Sequence, residues 1–460
     1  MSDSEGSGKG DDEIIKRTVS TSMQDNSGFQ FAWVHVFTAL VGIFLGLGAG
    51  VLFPTVAKER PAKFSMDSLP QHVVDVEYAV RGPIVSRALQ IKQQLEDGVK
   101  FPFDEIVSCN VGNPQAVGQK PITYHRQVLS LLAKAPPANG DELVEFLEQE
   151  KETVPADVFG RAQAFRSGLP LGSYTHSKGA LIAREYVADF ISGRDGVGAV
   201  DPDSIYLTDG ASPGVKTSLQ LLLEGPDDGV LIPIPQYPLY SAAITMNRGT
   251  AAGYYLDESK GWSVTKEVIE DAIKRFKQER PNGVLRGLVV INPGNPTGNI
   301  LSYDELSMII DLCKQHDLVL MADEVYQANI WTNVTFVSAR KVLLDKKSDV
   351  PLFSFHSISK GFTGECGIRG GYMQVENIGQ DVQDEIYKMQ SVSLCANSVG
   401  QMMTASIMNP PVAGDPSWPL FKKEYYAIKN SQYVFFLFYA FNIFSHRKIK
   451  KSTSKFYIVK

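Results

Sequence analysis

Residues 287–326 read GLVVINPGNPTGNILSYDELSMIIDLCKQHDLVLMADEVY and carry the clearest fold signal of the chain. Two apolar runs typical of buried strands flank a segment whose apolar residues follow helical spacing. Those apolar residues are Leu306, Ile309, Ile310 and Cys313. Ser302 and Glu305 have the spacing of a capping box, which satisfies free backbone N–H groups where a helix begins. Strand, helix and strand in this order predict a right-handed crossover and an α/β protein with a mainly parallel sheet.

Other β-rich runs lie upstream of this unit. SIYLTDG at 204–210 and GVLIPIP at 229–235 alternate with stretches of helical periodicity. In such sheets, ligands gather at the carboxyl ends of the strands. The polar residues that follow these runs are therefore the candidate functional residues.

The composition excludes several classes of function. The 460 residues carry a formal net charge of −6, whereas a nucleic-acid binder normally shows a basic patch or stripe. Four scattered cysteines do not form a disulfide framework, and the seven histidines show no metal-ligand spacing. We expect no nucleic-acid partner and no metal site.

Shifts in composition predict the domain organisation. The first 28 residues are rich in Ser, Gly and acidic residues, which is typical of a disordered tail. Phe31 to Phe53 is an apolar run without a formal charge, and it is long enough to cross a membrane. We therefore expect one N-terminal transmembrane helix; a buried segment is the alternative. The predicted parts are a tail (1–28), a membrane anchor (29–55), an N-terminal arm with part of a small domain (56–150), a large domain (151–405) and a divergent small-domain end (406–460).

Two segments offer groups for catalysis at strand ends. SFHSISKGFTGECGIRGGY, at 354–372, contains Ser357, Lys360 and Arg369 among glycines, although an exposed lysine in a loop is the ordinary explanation for one such segment. Asp323 and Tyr326 lie at the end of the apolar run LVLMADEVY, at 318–326. A buried carboxylate is costly there unless a cation pairs with it, and the alternative is a carboxylate that caps a turn.

Three further segments have weaker signals. Asn295 lies in NPGNPTGN, a run that also suits a plain turn, and Tyr237 in IPQYPLY could be an ordinary surface tyrosine. At an apparent helix start, free backbone N–H groups and a hydroxyl form a site for an anion. The residues at that start are Gly210, Ala211 and Ser212.

Together and in chain order, these segments resemble the fold type I aminotransferases that depend on pyridoxal 5′-phosphate (PLP). The closest resemblance is to the alanine aminotransferase and glutamate–glyoxylate aminotransferase family, and it extends from about residue 66 to the segment SWPLFKKEY at 417–425. A PLP-dependent lyase or synthase is the less favoured alternative. The resemblance implies a mainly parallel sheet in a PLP-binding large domain and a small α+β domain.

The resemblance also implies a role for each residue. Lys360 carries the cofactor and moves a proton as general base and then acid, and Asp323 pairs with the ring nitrogen. Asn295 and Tyr326 bind the phenolic O3′, and Tyr237 stacks on the ring. The implied phosphate ligands are Gly210, Ala211, Ser212, Ser357 and Arg369.

Two upstream residues acquire roles from the same resemblance. Gly112, in CNVGNPQAVGQ, lies near the substrate carboxylate, and Tyr174, in GSYTHSKG, reaches the phosphate of the neighbouring subunit. We therefore expect a homodimer that binds an amino acid and a 2-oxo acid. The supply of PLP and glutamate favours a catalytic domain on the cytosolic or mitochondrial-matrix side of a membrane.

The C-terminal segment departs from the family. Family members continue after segments like SWPLFKKEY and complete the small domain, including the arginine that binds the substrate α-carboxylate. Here a Lys-rich sequence follows, and we do not assign that role to Arg447. We therefore expect an incomplete small domain. The alternative to an active transaminase is a weak or inactive PLP-binding protein, tethered to a membrane.

Overall fold

The structure is a computed structural model that describes residues 64–78, 80, 82–106, 112–137, 140–331 and 333–445. The described residues up to Ser68 belong to one unit, and those from Leu69 onward belong to a second. In the described part of the first unit, a short 3-10 helix spans Met66–Ser68, and the Ser68 hydroxyl donates to Ser65 O at 2.7 Å. The candidate site lies in the second unit.

The second unit alternates helices and strands along most of its length. Its α-helices are α1 (Gln71–Val74), α2 (Pro83–Glu96), α3 (Thr123–Ala133), α4 (Gly140–Thr153), α5 (Ala156–Gly168), α6 (Leu181–Asp195), α7 (Ala211–Leu222), α8 (Leu239–Met246), α9 (Lys266–Glu279), α10 (Tyr303–Gln315), α11 (Ala339–Asp345), α12 (Gln380–Ser391), α13 (Ser398–Met408) and α14 (Trp418–Ser445). Its strands are β1 (Ile205–Thr208), β2 (Asp228–Ile234), β3 (Thr250–Tyr255), β4 (Val284–Ile291), β5 (Val319–Asp323), β6 (Leu352–Ser357) and β7 (Gly371–Glu376). Short 3-10 helices span Gln115–Val117, Pro202–Ser204 and Glu258–Lys260.

The seven strands form one sheet in the order β1-β7-β6-β5-β4-β2-β3. Pairing is parallel between neighbours from β3 to β6, and β7 runs antiparallel to both β1 and β6. The predicted α/β class and mainly parallel sheet are confirmed. The antiparallel β7 was not predicted; it arises because the connection 358–370 turns the chain back beside β6.

Both faces of the sheet are covered by helices. Leu288 and Val290 join one apolar cluster, with residues of α9, α10 and α11, while Val289 and Ile291 join another, with residues of α7, α8 and α12. Successive side chains of a strand point to opposite faces, so β4 serves both clusters. A third cluster packs α3, α5, α6 and α13 against β1. With both faces buried, the strand ends are left as the accessible edge.

The crossover between β4 and β5 forms as the sequence predicts. Ser302 is the N-cap of α10; Glu305 N donates to the Ser302 hydroxyl at 3.2 Å, and Ser302 N donates to the Glu305 carboxylate at 2.8 Å. The four apolar residues at helical spacing are all buried. The helix thereby brings β5 alongside β4 in the parallel direction. Asn292 follows the last residue of β4 and Asp323 ends β5, and Asn292 N donates to Asp323 O at 2.9 Å.

The predicted tail (1–28) and membrane anchor (29–55) lie outside the described residues. Within the part of the chain that the structure describes, no helix combines the length and the apolar character that crossing a membrane requires.

Candidate active site

Lys360 lies at the carboxyl edge of the sheet, on the connection between β6 and β7. Its partly buried amine donates to the carbonyl oxygen of Gly112 at 2.8 Å. Burial lowers the pKa of Lys360, and the nearby charge of Arg369 acts in the same direction. The lowered pKa favours the neutral amine, which is the form that acts as a nucleophile and as a base.

Asp323 ends β5 and is 6% exposed. Its carboxylate accepts hydrogen bonds from the Tyr240 hydroxyl at 2.9 Å and from Val325 N at 3.2 Å. Burial raises the pKa of Asp323 to about 6, and these two hydrogen bonds oppose the rise. Among the described residues, no lysine, arginine or histidine forms an ion pair with this carboxylate. The site therefore presents a buried acid whose ionised form still needs a cation.

Tyr240 is a site residue that the sequence did not reveal. It is completely buried in α8, and burial together with the neighbouring Asp323 holds its pKa well above the usual value, so its hydroxyl stays protonated and donates. Tyr240 lies three residues after the predicted ring-stacking residue Tyr237, in the same IPQYPLY motif. Tyr237 lies ahead of α8, so helical spacing does not relate the two tyrosines, and their shared motif was the only available signal.

The residues predicted to contact O3′ lie together beside Asp323. Asn295 Nδ2 donates to the Tyr326 hydroxyl at 3.4 Å. Burial raises the pKa of Tyr326 to about 12, with the charge of Asp323 as a further cause. Tyr237 is partly buried, and its hydroxyl is 2.8 Å from that of Tyr78, a residue ahead of α2 that the sequence also did not reveal. Hydrogen bonds thus fix the three side chains that are predicted to contact the cofactor ring: Asn295 and Tyr326 bond to each other, and Tyr237 bonds to Tyr78.

Arg369 places a guanidinium at the start of α7. Its Nη2 donates to Asp209 O at 2.7 Å, and its Nη1 donates to Cys366 O at 3.0 Å and to the Ser359 hydroxyl at 3.2 Å. Gly210 has a φ of 85°, and a Cβ added to it would collide with Arg369 Nη2. Glycine is therefore required here, because it adopts this backbone and leaves room for the arginine.

The other predicted phosphate ligands surround this guanidinium. Ala211 and Ser212 are the first residues of α7, so their backbone N–H groups belong to the free helix start. Ser357 is 4% exposed, and its single hydroxyl proton has two acceptors in range, Gly370 O at 3.2 Å and the Ser359 hydroxyl at 2.9 Å. Ser359, which the sequence did not reveal, joins Ser357 to Arg369. A helix start, two hydroxyls and one guanidinium together suit an anion.

A buried polar layer supports the ends of β5 and β6. Glu324 accepts hydrogen bonds from Arg194 Nη1 at 3.2 Å and from Ala339 N at 2.8 Å. Burial raises the pKa of Glu324 to about 7, and Arg194 opposes the rise. Burial lowers the pKa of His356 to about 4, and its ring nitrogen contacts Gln327 Nε2 at 2.8 Å. The layer is tied to α6 and α11, which fixes the backbone that carries Asp323.

Gly112 and Tyr174 lie in different surroundings. Gly112 contacts Lys360 directly, and the segment that follows it is bound to the lysine loop: Gln119 Nε2 donates to Phe362 O at 2.9 Å, and Arg126 pairs with the buried Glu365 at 2.6 Å. Tyr174 is 79% exposed, on the loop that precedes α6, and does not enter the hydrogen bonds of the site. Within one chain, the structure brings together every predicted site residue except Tyr174.

Comparisons with known proteins agree with this arrangement. The sequence model of the family "Aminotransferase class I and II" matches residues 144–421. Alanine aminotransferase 2 of Panicum miliaceum is 45% identical over 372 residues, covering 79% of this chain and 75% of that protein. Glutamate–glyoxylate aminotransferase 1 of Arabidopsis thaliana is 42% identical over 366 residues, covering 78% and 72%. The solved alanine aminotransferase from Pyrococcus furiosus shares the fold with a TM-score of 0.58 at 20% identity, covering 79% of this chain and 76% of that one.

Proposed function

Because the chain belongs to the class I and II aminotransferases, which depend on PLP, we propose that it transfers an amino group from L-alanine or glutamate to a 2-oxo acid. The acceptor is 2-oxoglutarate, pyruvate or glyoxylate, in line with the names of its alanine and glutamate–glyoxylate relatives. The observation that carries the proposal is that Lys360, which follows β6, and the buried Asp323, which ends β5, lie at the same edge of the sheet after neighbouring parallel strands.

The residues present suit PLP at both of its ends. The protonated ring nitrogen is a cation, which is what the buried Asp323 carboxylate lacks. The phosphate is an anion, which suits Arg369 beside the start of α7. Tyr237, Asn295 and Tyr326 would contact the ring on the side of Asp323, whose charge acts on both tyrosines. When bound, PLP supplies an electron-accepting ring.

Lys360 and Asp323 divide the catalytic work. The Lys360 Nζ, whose pKa burial lowers toward the neutral form, would accept the proton from the substrate Cα and later donate it. Asp323 would keep the PLP ring nitrogen protonated by ion pairing, and Tyr240 donates to the carboxylate, which favours its ionised form. Gly112, which has no side chain, leaves the space beside Nζ open: a Cβ added there would lie 2.9 Å from Nζ.

Tyr174 supports a homodimeric assembly. A large aromatic side chain that is 79% exposed ahead of α6 suits burial by a second copy, where the tyrosine hydroxyl donates to the phosphate of the neighbouring site. In this assembly Tyr174→Phe weakens PLP binding without changing the mass of the dimer in sedimentation. A monomeric wild-type chain would contradict this part of the proposal.

The apolar run within residues 29–55 supports a membrane tether, with the enzyme on the cytosolic or mitochondrial-matrix side. A chain that lacks residues 1–55 then remains in the supernatant after ultracentrifugation, while the full chain sediments with membranes and resists alkaline extraction. Release of the full chain at alkaline pH would contradict the tether.

The test of function is an absorbance titration of the purified chain with PLP, followed by L-alanine. A visible band from the lysine-bound cofactor, which L-alanine converts and D-alanine does not, supports transamination. Lys360→Ala is the control, since it removes the amine and leaves the core untouched. A wild-type chain that shows no band contradicts PLP binding. A band that neither alanine nor glutamate changes favours the alternative of a PLP-binding protein without turnover.

A further inference from the structure

Asp209, Arg369 and Asn397 close a ring of hydrogen bonds next to the start of α7. The guanidinium of Arg369 donates to the backbone oxygen of Asp209 at 2.7 Å. The Asp209 carboxylate accepts from Asn397 N at 2.9 Å and from Asn397 Nδ2 at 2.7 Å. The same Nδ2 donates to Arg369 O at 2.9 Å. Asn397 thus holds both the backbone of the arginine and the residue on which its guanidinium rests.

The backbone of Arg369 needs such support. Its φ is 59°, in the left-handed region that a residue with a Cβ adopts at a cost in free energy. Gly400, in the first turn of α13, approaches so closely that an added Cβ would collide with Arg369 O. The start of α13 therefore packs closely against the backbone of Arg369, and Asn397 donates the hydrogen bond that fixes the Arg369 carbonyl against this helix.

The charge of Asp209 is a second reason for the ring. A carboxylate next to an anion site repels the anion unless its charge is engaged by donors. Here one oxygen, Oδ1, accepts both N–H groups of Asn397. Without the Asn397 side chain the carboxylate keeps only the backbone donor, so that it can turn toward Arg369 and compete with the phosphate for the guanidinium.

We propose that Asn397 is a positioning residue for the phosphate of the cofactor. It fixes the left-handed backbone of Arg369 and keeps the Asp209 carboxylate away from the guanidinium. The inference rests on the proposed function, since it assigns a residue to the phosphate end of the PLP site. Asn397 itself touches neither the ring contacts nor Lys360.

The test is Asn397→Ser. Serine keeps the N-cap acceptor for Gly400 N, which Asn397 Oδ1 now provides, and keeps the backbone donor to Asp209, but it loses the side-chain amide that donates to Asp209 and to Arg369 O. Dissociation constants are measured for PLP and for pyridoxal, which lacks the phosphate. We expect about tenfold weaker binding of PLP with pyridoxal unchanged, as for the loss of one hydrogen bond to a charged site. An unchanged ratio of the two dissociation constants would overturn the inference, whether both ligands bind more weakly or neither does.

A second substitution tests the role of Asp209. In the Asn397→Ser background, Asp209→Asn removes the charge of the carboxylate that has lost its side-chain donor, and we expect PLP affinity to recover by about threefold. No recovery would overturn the electrostatic part of the proposal. Ser302→Ala, which removes an N-cap remote from the site, is the matched control and should leave the ratio unchanged. A wild-type chain that binds PLP and pyridoxal alike would overturn the phosphate site itself, whereas an unchanged ratio in Asn397→Ser overturns this inference alone.

Discussion

Replacing Asp323 by asparagine should stabilise the PLP-free protein while it abolishes transamination. Burial raises the pKa of Asp323 from an ordinary 3.8 to about 6. The difference of about 2 corresponds to about 3 kcal/mol between the folded and unfolded states, all of it unfavourable once the group is ionised in both. Asparagine has nearly the same shape and carries no charge, so the substitution removes this cost.

The sign of the pH dependence follows from the raised pKa. The folded state binds the Asp323 proton more tightly than the unfolded chain does, so wild-type stability falls as pH rises from about 4 to about 6. Asp323→Asn lacks this contribution. Its advantage over wild type should therefore be about 3 kcal/mol larger at about pH 8 than at about pH 4.

Urea unfolding of both proteins without PLP, at about pH 4 and about pH 8, measures this difference. Asp271→Asn, which removes an exposed carboxylate from α9, serves as the control for net charge. A gap between Asp323→Asn and wild type that stays constant with pH would refute the assignment of Asp323 as a buried acid without a cation. Adding PLP should stabilise wild type more than the variant, because only the carboxylate pairs with the ring nitrogen.

Three further substitutions test other parts of the site. Lys360→Ala should remove the visible absorbance band of bound PLP and leave the circular dichroism spectrum unchanged; a retained band would place the cofactor on another residue. Tyr240→Phe should lower kcat by about tenfold and move the acid limb of the pH–rate profile to higher pH, because loss of the hydrogen bond raises the pKa of Asp323 further. An acid limb that stays at the same pH in stopped-flow or steady-state rates would argue against this coupling. Gly210→Ala should weaken PLP binding by at least about tenfold in equilibrium dialysis, because alanine disfavours a φ of 85° and its Cβ would displace the Arg369 guanidinium; wild-type affinity would show that the guanidinium is not held there.

The parts of the fold that local sequence determines were predicted well. The capping box at Ser302 and Glu305 uses groups three residues apart, and the apolar spacing that follows it reports one buried helix face. The strand that ends in Asp323 is a continuous apolar run, as expected for a strand that helices cover on both faces. Such signals depend only on neighbours along the chain.

The contacts that complete the site join residues far apart in sequence. Tyr240 reaches Asp323 across 83 positions, Asp209 reaches Asn397 across 188, and Lys360 reaches Gly112 across 248. No periodicity encodes these pairs, because they depend on the order in which strands lie in the sheet. The antiparallel direction of β7 could not be predicted for the same reason. Only the folded connection 358–370 brings Arg369 back beside β1.

The two ends of the site, which lie at one edge of the sheet, favour ligand groups of opposite charge. At one end the Asp323 carboxylate is buried without a cation among the described residues, and at the other the Arg369 guanidinium lies over a helix start. A ligand that carries a cation at one end and an anion at the other relieves both costs at once, whereas inorganic phosphate relieves only the second. Phosphate should therefore raise the free energy of unfolding less than PLP does at the same free ligand concentration, and the difference should be smaller in Asp323→Asn. Equal stabilisation of the wild-type chain by the two ligands would show that the buried carboxylate does not contribute to cofactor binding.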